Sequence, residues 1–231
     1  MLDPAAADRI LERYPHASAF QRWHMRGRLK LCPYERLDRH LTGSDTILDI
    51  GCGFGHFAWH LAATKPGLRY FGTDVDARKI ALAKGCPITG VSTPPQFHLG
   101  DAAALTGMAG PTGQAGLPDK FGNIVFLDVL YLMPWEAQQR MFAWALGKLA
   151  PGPDSAVVIK TMEQAKGFSG FRAVAEEWIM VSLLRRTVSS GTINGARPAA
   201  DYVDVAKGLG FRCEIEGLGT FNPSTVMRFR R

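Results

Sequence analysis

Short apolar runs and longer amphipathic segments alternate along most of the chain. The runs have the length of β-strands, and in the longer segments the apolar residues recur at helical spacing. The predicted strands are Thr46–Ile50, Arg69–Thr73, Gln96–Leu99, Ile124–Leu127, Ala156–Thr161, Phe211–Leu218 and Ser224–Arg230. The predicted helices are Phe57–Ala63, Ala77–Lys84, Trp135–Leu149 and Ala199–Leu209. Apolar strands that alternate with helices are typical of a parallel sheet covered on both faces, so the pattern predicts an α/β fold.

Three short amphipathic segments precede the first strand. Asp3-Pro4 can cap and start a helix that ends before Pro15, because proline is favoured in a first turn and disfavoured further on. A second helix is predicted over Ser18–Leu31, and a third begins at Pro33 and runs to Leu41. We therefore predict an N-terminal helical cap over residues 1–45 and a single core domain over residues 46–231.

Two further segments of the core depart from the alternation. Residues 105–119 are rich in glycine and proline and are predicted to form a long surface loop. Phe171–Arg186 has the apolar stripe of a helix, which we place in an insertion spanning about residues 165–198.

The first strand runs directly into a glycine-rich stretch. Asp49 ends the apolar run, and glycines then occupy every second position over Gly51–Gly55. A strand that feeds a glycine loop and a helix brings bare backbone close to a nucleotide. The dinucleotide fingerprint needs a third glycine at the position where this chain has His56. Asp74, at the end of the next strand, does not separate the two classes, because it could bind the ribose of either nucleotide. The glycines alone leave both classes open.

Acidic residues at the strand ends distinguish the two classes. Asp49 lies two residues before the first glycine, where it would repel a pyrophosphate but attract a cationic amine. Asp101 follows the third predicted strand, and Asp128 follows the fourth. Because parallel strands end at one sheet edge, these acids predict a cationic nucleotide ligand there.

At this point the chain resembles the class I S-adenosylmethionine-dependent methyltransferases. The matching motifs, in order, are Leu48–Gly55, Gly72–Asp76, Gly100–Ala102, Phe126–Leu130 and Leu149–Gly152. They span about residues 46–161. The resemblance implies a Rossmann-like, mostly parallel sheet of seven strands with helices on both faces, in which the last strand is antiparallel. More loosely, the cap and the segment after the fourth strand look like bacterial small-molecule or lipid-pathway members.

The resemblance also implies S-adenosylmethionine as cofactor, S-adenosylhomocysteine (SAH) as product, and a set of binding residues. Asp49 and the backbone of Gly51, Cys52 and Gly53 would hold the methionine part. Asp74 would bind the ribose hydroxyls, and Val75 would pack on the adenine. Asp101 and the Ala102 amide would bind the adenine edge. The backbone near Asp128 would lie beside the sulfonium.

Methyl transfer is an in-line displacement that needs alignment and, for some acceptors, a base. His24 and Tyr131 are the candidate bases, although ordinary packing explains either residue as well; His56 is near the cofactor but belongs to the glycine-loop helix. The Asn/Asp-Pro-Pro-Tyr/Phe signature of nucleic-acid amino methylation is missing, as is the acid cluster of metal-dependent members, so no metal is expected. Aromatic and cationic residues of the cap and insertion would form the acceptor pocket: Phe20, Trp23, Tyr34, Phe168, Phe171, Trp178, Met180, Arg22, Arg26 and Arg28.

The distribution of charge and the cysteine content further limit the candidate functions. The net charge of +6 comes from the regions that flank a neutral nucleotide core, most visibly from the all-positive segment between Arg22 and Lys30. We expect a small aromatic, amphipathic or lipid-like acceptor, no obligatory nucleic acid, no membrane span but room for peripheral membrane contact, and a cytoplasmic location. The four cysteines are widely spaced, which favours free thiols. Two alternatives stay open: an RNA or protein methyltransferase that uses the basic flanks, and a non-catalytic cofactor-binding regulator.

Overall fold

The computed structural model describes residues 8, 10–42, 45–100, 117–162, 196–218 and 224–231. The strands are β1 (Thr46–Ile50), β2 (Arg69–Asp74), β3 (Gln96–Leu99), β4 (Asn123–Leu127), β5 (Ala156–Met162), β6 (Arg212–Gly217) and β7 (Ser224–Arg230). The described helices are α1 (Ala19–Leu31), α2 (Tyr34–Asp38), α3 (His56–Thr64), α4 (Ala77–Lys84), α5 (Trp135–Gly147) and α6 (Ala199–Gly208), with a 3₁₀ turn at Leu130–Leu132. The predicted insertion helix, the Asp3-Pro4 helix start and loop residues 105–116 lie outside the described residues.

The seven strands form one sheet in the order β3-β2-β1-β4-β5-β7-β6. The first five strands pair in parallel, and β7 runs antiparallel between β5 and β6. This confirms the predicted Rossmann-like sheet with its antiparallel last strand. The order reverses between β1 and β4, and ligands of open α/β sheets bind at the carboxyl ends of the strands beside such a switch point.

Helices cover both faces of the sheet, as predicted. Alternate strand residues face opposite ways, so Ile47 and Val125 join one apolar core while Leu48 and Ile124 join the other. The first core includes residues of α3 and α4 and of the N-terminal helices, and the second includes residues of α5 and α6. The central strands β1 and β4 are buried along their whole length, which gives the ligand edge a rigid base.

The N-terminal helices dock on the core near the glycine loop. α1 starts with a capping box between Ser18 and Gln21, which explains its predicted boundary. Leu29 of α1 is fully buried in the first core. The Tyr14 hydroxyl donates to the Phe54 carbonyl oxygen at 2.7 Å, so the residues before α1 are tied directly to the glycine loop.

Four predicted helices extend beyond their observed ends. The first helix is helical to Glu12 within the described residues, α2 ends at Asp38 instead of Leu41, and α5 ends at Gly147 instead of Leu149. Leu149 instead makes an isolated parallel bridge with Phe121, so a tertiary contact overrides its helical propensity. α6 ends at Gly208 instead of Leu209, and Gly210 follows it with φ = 80°, while the amides of Gly210 and Phe211 donate back into the last turn.

Candidate functional site

The glycine loop lies across the carboxyl ends of β1 and β2. The amides of Gly51 and Cys52 both donate to the Thr73 carbonyl oxygen, at 2.8 and 3.0 Å. Gly51 has φ = 79°, and a Cβ atom there would lie 2.6 Å from Cγ2 of Val129. Both its conformation and its surroundings therefore require glycine.

Gly53 is different, because its surroundings are open. It has φ = 57°, and a Cβ atom there would meet nothing within 4 Å among the described residues. Its amide donates to Oδ2 of Asp74 at 2.9 Å, which holds the loop against the end of β2. A ligand can thus approach the bare backbone of the loop at Gly53.

Asp49 lies beneath this loop and is 2% exposed. The Tyr70 hydroxyl donates to its Oδ2, and its Oδ1 has no hydrogen-bond partner among the described residues. Burial raises the pKa of Asp49 from 3.8 to about 7; the Tyr70 hydrogen bond opposes this shift, and the charge of Asp74 adds to it. A buried, unpartnered carboxylate oxygen is costly, and a cationic group such as an ammonium would satisfy it. The site therefore fits the cationic ligand that the sequence predicts.

Asp74 and Val75 lie together at the end of β2. Asp74 is buried, and its two oxygens accept from the amides of Gly53 and Asp76, each at 2.9 Å. Each carboxylate oxygen has a second lone pair, so Asp74 can still accept from a ligand hydroxyl. Val75 is 48% exposed, and Leu99 at the end of β3 is also exposed. These apolar side chains offer a flat ring a surface on which to pack. Asp101 and Ala102 lie outside the described residues.

Asp128 does not match the expected pattern of acids around a cation. Lys160 Nζ donates to both of its oxygens at 2.6 Å, and Arg28 Nη1 donates to Oδ2 at 2.7 Å. Burial would raise the pKa of Asp128, but the two cations outweigh it and hold that pKa below its usual range. The Asp128 carboxylate therefore pairs with two cations of the protein, whereas the sequence predicts that it faces a cationic ligand. That the backbone near Asp128 lies beside the sulfonium stays a prediction.

The backbone of Asp128 is unusual as well. It has φ = 58°, the only positive φ among the described residues other than glycine. This left-handed conformation is disfavoured for side chains, although aspartate tolerates it better than most. The Asp128 amide donates to the Lys160 carbonyl oxygen at 3.0 Å, so hydrogen bonds and ion pairs together hold the strained residue in place. Such strain is characteristic of functional sites.

The candidate bases have different environments. His24 and His56 are buried, and their rings each lie 5.8 Å from the ring of Phe54 in the glycine loop. Burial, followed by the charges of Arg28 and Lys79, lowers the pKa of His24 to about 4, and its Nδ1 has no described partner. His24 is therefore neutral at pH 7 and able to accept a proton, but it is a weak base. Tyr131 is buried in the 3₁₀ turn after β4.

The basic segment of α1 serves largely to hold the fold together. Arg22 donates to the carbonyl oxygens of Leu11, Tyr14 and Ala17, and so ties the end of the first helix and the residues after it to α1. Arg26 pairs with Asp8, and Arg28 pairs with Asp128. Arg22 therefore stabilises the N-terminal segment, whereas Arg26 makes an exposed ion pair at the surface.

The predicted acceptor residues divide into two groups. Phe20 and Trp23 stack on each other with ring centroids 6.1 Å apart, and both are exposed. Tyr34 is instead buried and stacks on Phe57, so it belongs to the core. Phe168, Phe171, Trp178 and Met180 lie outside the described residues.

Two residues of the site were missed from the sequence. Lys160 interrupts an apolar strand, and a lysine in such a position is a signal that it has a buried partner. Tyr70, whose hydroxyl binds Asp49, shows no comparable signal because an aromatic residue in a strand is ordinary.

Other types of site are not found in the part of the chain that the structure describes. It contains no group of three or more histidine, cysteine or acidic residues that could hold a metal, and its four cysteines are free thiols. No helix among these residues is long and apolar enough to cross a membrane.

Comparison with known proteins extends this picture. No protein-family model matches the chain, and neither does any curated protein sequence. Magnesium protoporphyrin IX methyltransferase (ChlM) from Synechocystis PCC 6803, solved with bound SAH, is 19% identical with a TM-score of 0.61; the match covers 97% of this chain and 93% of that one. Mitomycin 7-O-methyltransferase MmcR is 16% identical with a TM-score of 0.65, and the match covers 97% and 60%. The S-adenosylmethionine-dependent methyltransferase SibL is 16% identical with a TM-score of 0.66, and the match covers 96% and 62%.

At these identities the likeness establishes the fold. The chain spans about three fifths of the length of MmcR and SibL but nearly all of ChlM. A structure named as a pericyclic reaction enzyme also matches, with a TM-score of 0.58 and 14% identity over 87% of this chain and 47% of that one. The fold therefore does not by itself specify the reaction. The chain has the Rossmann-like fold of the S-adenosylmethionine-dependent methyltransferases.

Proposed function

We propose that the protein transfers a methyl group from S-adenosylmethionine to a small acceptor. The observation that carries this proposal is the buried, unpartnered Oδ1 of Asp49 beneath a glycine loop that is open at Gly53. A pyrophosphate at this position would meet a carboxylate, whereas an amino-acid ammonium would complete its hydrogen bonding.

Each residue of the site then has a defined task. Asp49 binds the cofactor ammonium, and the Gly51–Gly53 backbone, including Cys52, lies along the methionine part. Asp74 accepts from the ribose hydroxyls while it holds Gly53, and Val75 packs on the adenine. Asp101 and the Ala102 amide bind the adenine edge, as the resemblance implies.

The bound cofactor supplies a sulfonium methyl group that a nucleophile can displace in line. The task of the chain is therefore to orient the acceptor, exclude water and, if the nucleophile carries a proton, accept it. His24 and Tyr131 are proposed for that last step. With a pKa of about 4, His24 would accept a proton only from an acidic group. The backbone near Asp128 would face the reacting sulfur.

A small acceptor is favoured over RNA or protein. A nucleic-acid methyltransferase needs free cationic side chains, and Arg22 and Arg26 are instead bound to carbonyl oxygens and to Asp8. The exposed Phe20–Trp23 pair suits an aromatic or amphipathic, lipid-like molecule better than a polyanion. Similar structures include methyltransferases named for magnesium protoporphyrin IX and mitomycin, which agrees with this proposal.

Calorimetric titration would test the cofactor assignment. We expect SAH to bind the full chain and NAD⁺ to show no heat of binding. Asp49→Asn, which keeps the shape but removes the charge, should weaken SAH at least tenfold, while Asp154→Asn at an exposed turn should leave the affinity unchanged. Binding of NAD⁺ without binding of SAH would refute the proposal.

A second measurement separates catalysis from cofactor binding alone. Incubation with methyl-labelled S-adenosylmethionine and a library of aromatic and amphipathic hydroxy and amino compounds should yield labelled product. Tight SAH binding with no turnover across the library, and a cofactor-bound structure with no cavity beside the sulfur, would instead identify a regulatory module.

A further inference from the structure

A cluster of three charged side chains lies at the carboxyl ends of β4 and β5. Lys160 and Arg28 both pair with Asp128, at 2.6 and 2.7 Å. The side chains of Asp128 and Lys160 are each 5% exposed, so this pairing takes place largely out of water. Two cations share one carboxylate, so the three side chains together carry one unit of positive charge.

Arg28 has more hydrogen-bond donors than its described partners use. A guanidinium has five N–H groups. Arg28 uses one on Asp128 and another in a long contact, 3.4 Å, with the Leu127 carbonyl oxygen. Its other N–H groups have no partner among the described residues, and its side chain is 29% exposed. Because the guanidinium fork matches a carboxylate in shape, an anion can bind here without displacing Asp128.

The cluster lies on the acceptor side of the proposed cofactor site. In the sheet, β2 with Asp74 and β4 with Asp128 flank β1 on opposite sides. Val129, next to Asp128, packs against Gly51 of the glycine loop. A cofactor that lies along β1 and β2 leaves the carboxyl ends of β4 and β5 for its reaction partner.

We propose that the acceptor carries a carboxylate, which Arg28 and Lys160 bind. This inference rests on the proposed function and names its substrate class: a carboxylic acid with an apolar body. A buried positive charge that lacks a counter-charge is costly, and a bound monoanion removes that cost. A single unit of charge matches a carboxylate, whereas a phosphate would bring nearly two negative charges.

The carboxylate serves as an anchor and is not the atom that receives the methyl group. A nucleophile loses negative charge as it attacks a sulfonium, so cations beside it would stabilise the ground state more than the transition state. The methyl group goes to a hydroxyl or amino group elsewhere on the acceptor. There a new O–C or N–C bond forms, the S–C bond breaks with its electron pair remaining on sulfur, and the proton of the nucleophile passes to a base or to solvent.

Two substitutions change the cluster charge in opposite directions. Lys160→Met makes the cluster neutral, and Asp128→Asn adds one positive charge while asparagine still tolerates the left-handed backbone. The probes are 2-naphthoate and the uncharged 2-naphthamide, titrated by NMR into the full chain saturated with SAH. Circular dichroism would establish that each variant is folded.

We expect the wild type to bind the acid about ten- to a hundredfold more tightly than the amide, the range of a charge-assisted hydrogen bond. Lys160→Met should abolish this preference, and Asp128→Asn should increase it. Opposite effects of the two variants would not arise if the cluster were merely structural.

Three results would overturn the inference. The first is equal binding of acid and amide, or no binding of the acid at millimolar concentration. The second is a preference that Lys160→Met leaves intact. The third is a Lys160→Met variant that weakens SAH but not 5′-methylthioadenosine, which lacks the amino-acid part, because the cations would then bind the carboxylate of the cofactor. Failure of SAH to bind the wild type would instead refute the proposed function.

Discussion

Asp49→Asn removes a carboxyl group that the folded protein buries without a full set of partners. Burial raises the pKa of Asp49 from 3.8 to about 7, so between these values the folded protein holds a proton that the unfolded chain has released. The carboxyl group therefore lowers stability progressively as the pH rises from about 4 to about 7, and its cost is constant above that range. Asparagine does not titrate, so the variant is free of this cost.

The magnitude follows from the two pKa values. At 1.36 kcal/mol per pKa unit, the carboxyl group costs about 2 kcal/mol at pH 5 and about 4 kcal/mol at pH 8. The asparagine amide, which would replace the unpartnered Oδ1, has its own burial cost of roughly 1–3 kcal/mol at either pH. Because this burial cost of the amide is the same at both pH values, it cancels when stabilities at pH 5 and pH 8 are compared. The free energy of unfolding of the variant, relative to wild type, should therefore be about 2–3 kcal/mol more favourable at pH 8 than at pH 5.

Urea denaturation of both proteins at the two pH values measures this difference. Asp154→Asn is the matched control, because its side chain is exposed and it should show no such pH dependence. Thermal unfolding gives a second readout, at about 2–4 °C per kcal/mol for a chain of this size. If Asp49→Asn changes the free energy of unfolding equally at both pH values, Asp49 does not titrate near 7 and the reasoning fails.

Three further predictions concern the same edge of the sheet. Wild-type affinity for SAH should rise by up to about tenfold per pH unit between pH 5.5 and 7, as Asp49 ionises, whereas a flat calorimetric profile would contradict its role. Asp74→Ala should weaken SAH by roughly 1.5–3 kcal/mol in the same assay, and an unchanged affinity would exclude the ribose assignment. Gly51→Ala should destabilise the protein to urea by about 2 kcal/mol or more, because its Cβ atom would clash with Val129 at a positive φ, while Gly67→Ala in open space should be neutral.

Local patterns in the chain were enough to predict most of the fold. β1, β3, β7 and α4 have the predicted bounds, because the apolar period and the flanking turn residues act over a few positions. Other strand bounds differ from the prediction by one residue, and the larger errors are at helix ends. Leu149 has helical propensity, but its pairing with Phe121 is a contact between residues distant in the chain, and no local pattern reveals it.

The candidate site was predictable only where its residues follow the strands. Asp49, Asp74 and Asp128 each lie at or near a strand end, so a parallel sheet brings them to one edge whatever the details of packing. What each acid does there depends on its partners. Asp74 holds the glycine loop, Asp49 has one oxygen unsatisfied, and Asp128 is paired twice.

The sequence by itself determined the alternation of elements, the glycine loop and the edge at which the acids gather, because each is encoded within one strand and its turn. The tertiary structure decided the charge of that edge. Arg28 reaches Asp128 across 100 residues and Lys160 reaches it across 32, so these pairings exist only after the cap and β5 have packed against β4. Burial then sets their strength, since the same ion pair in water would contribute little.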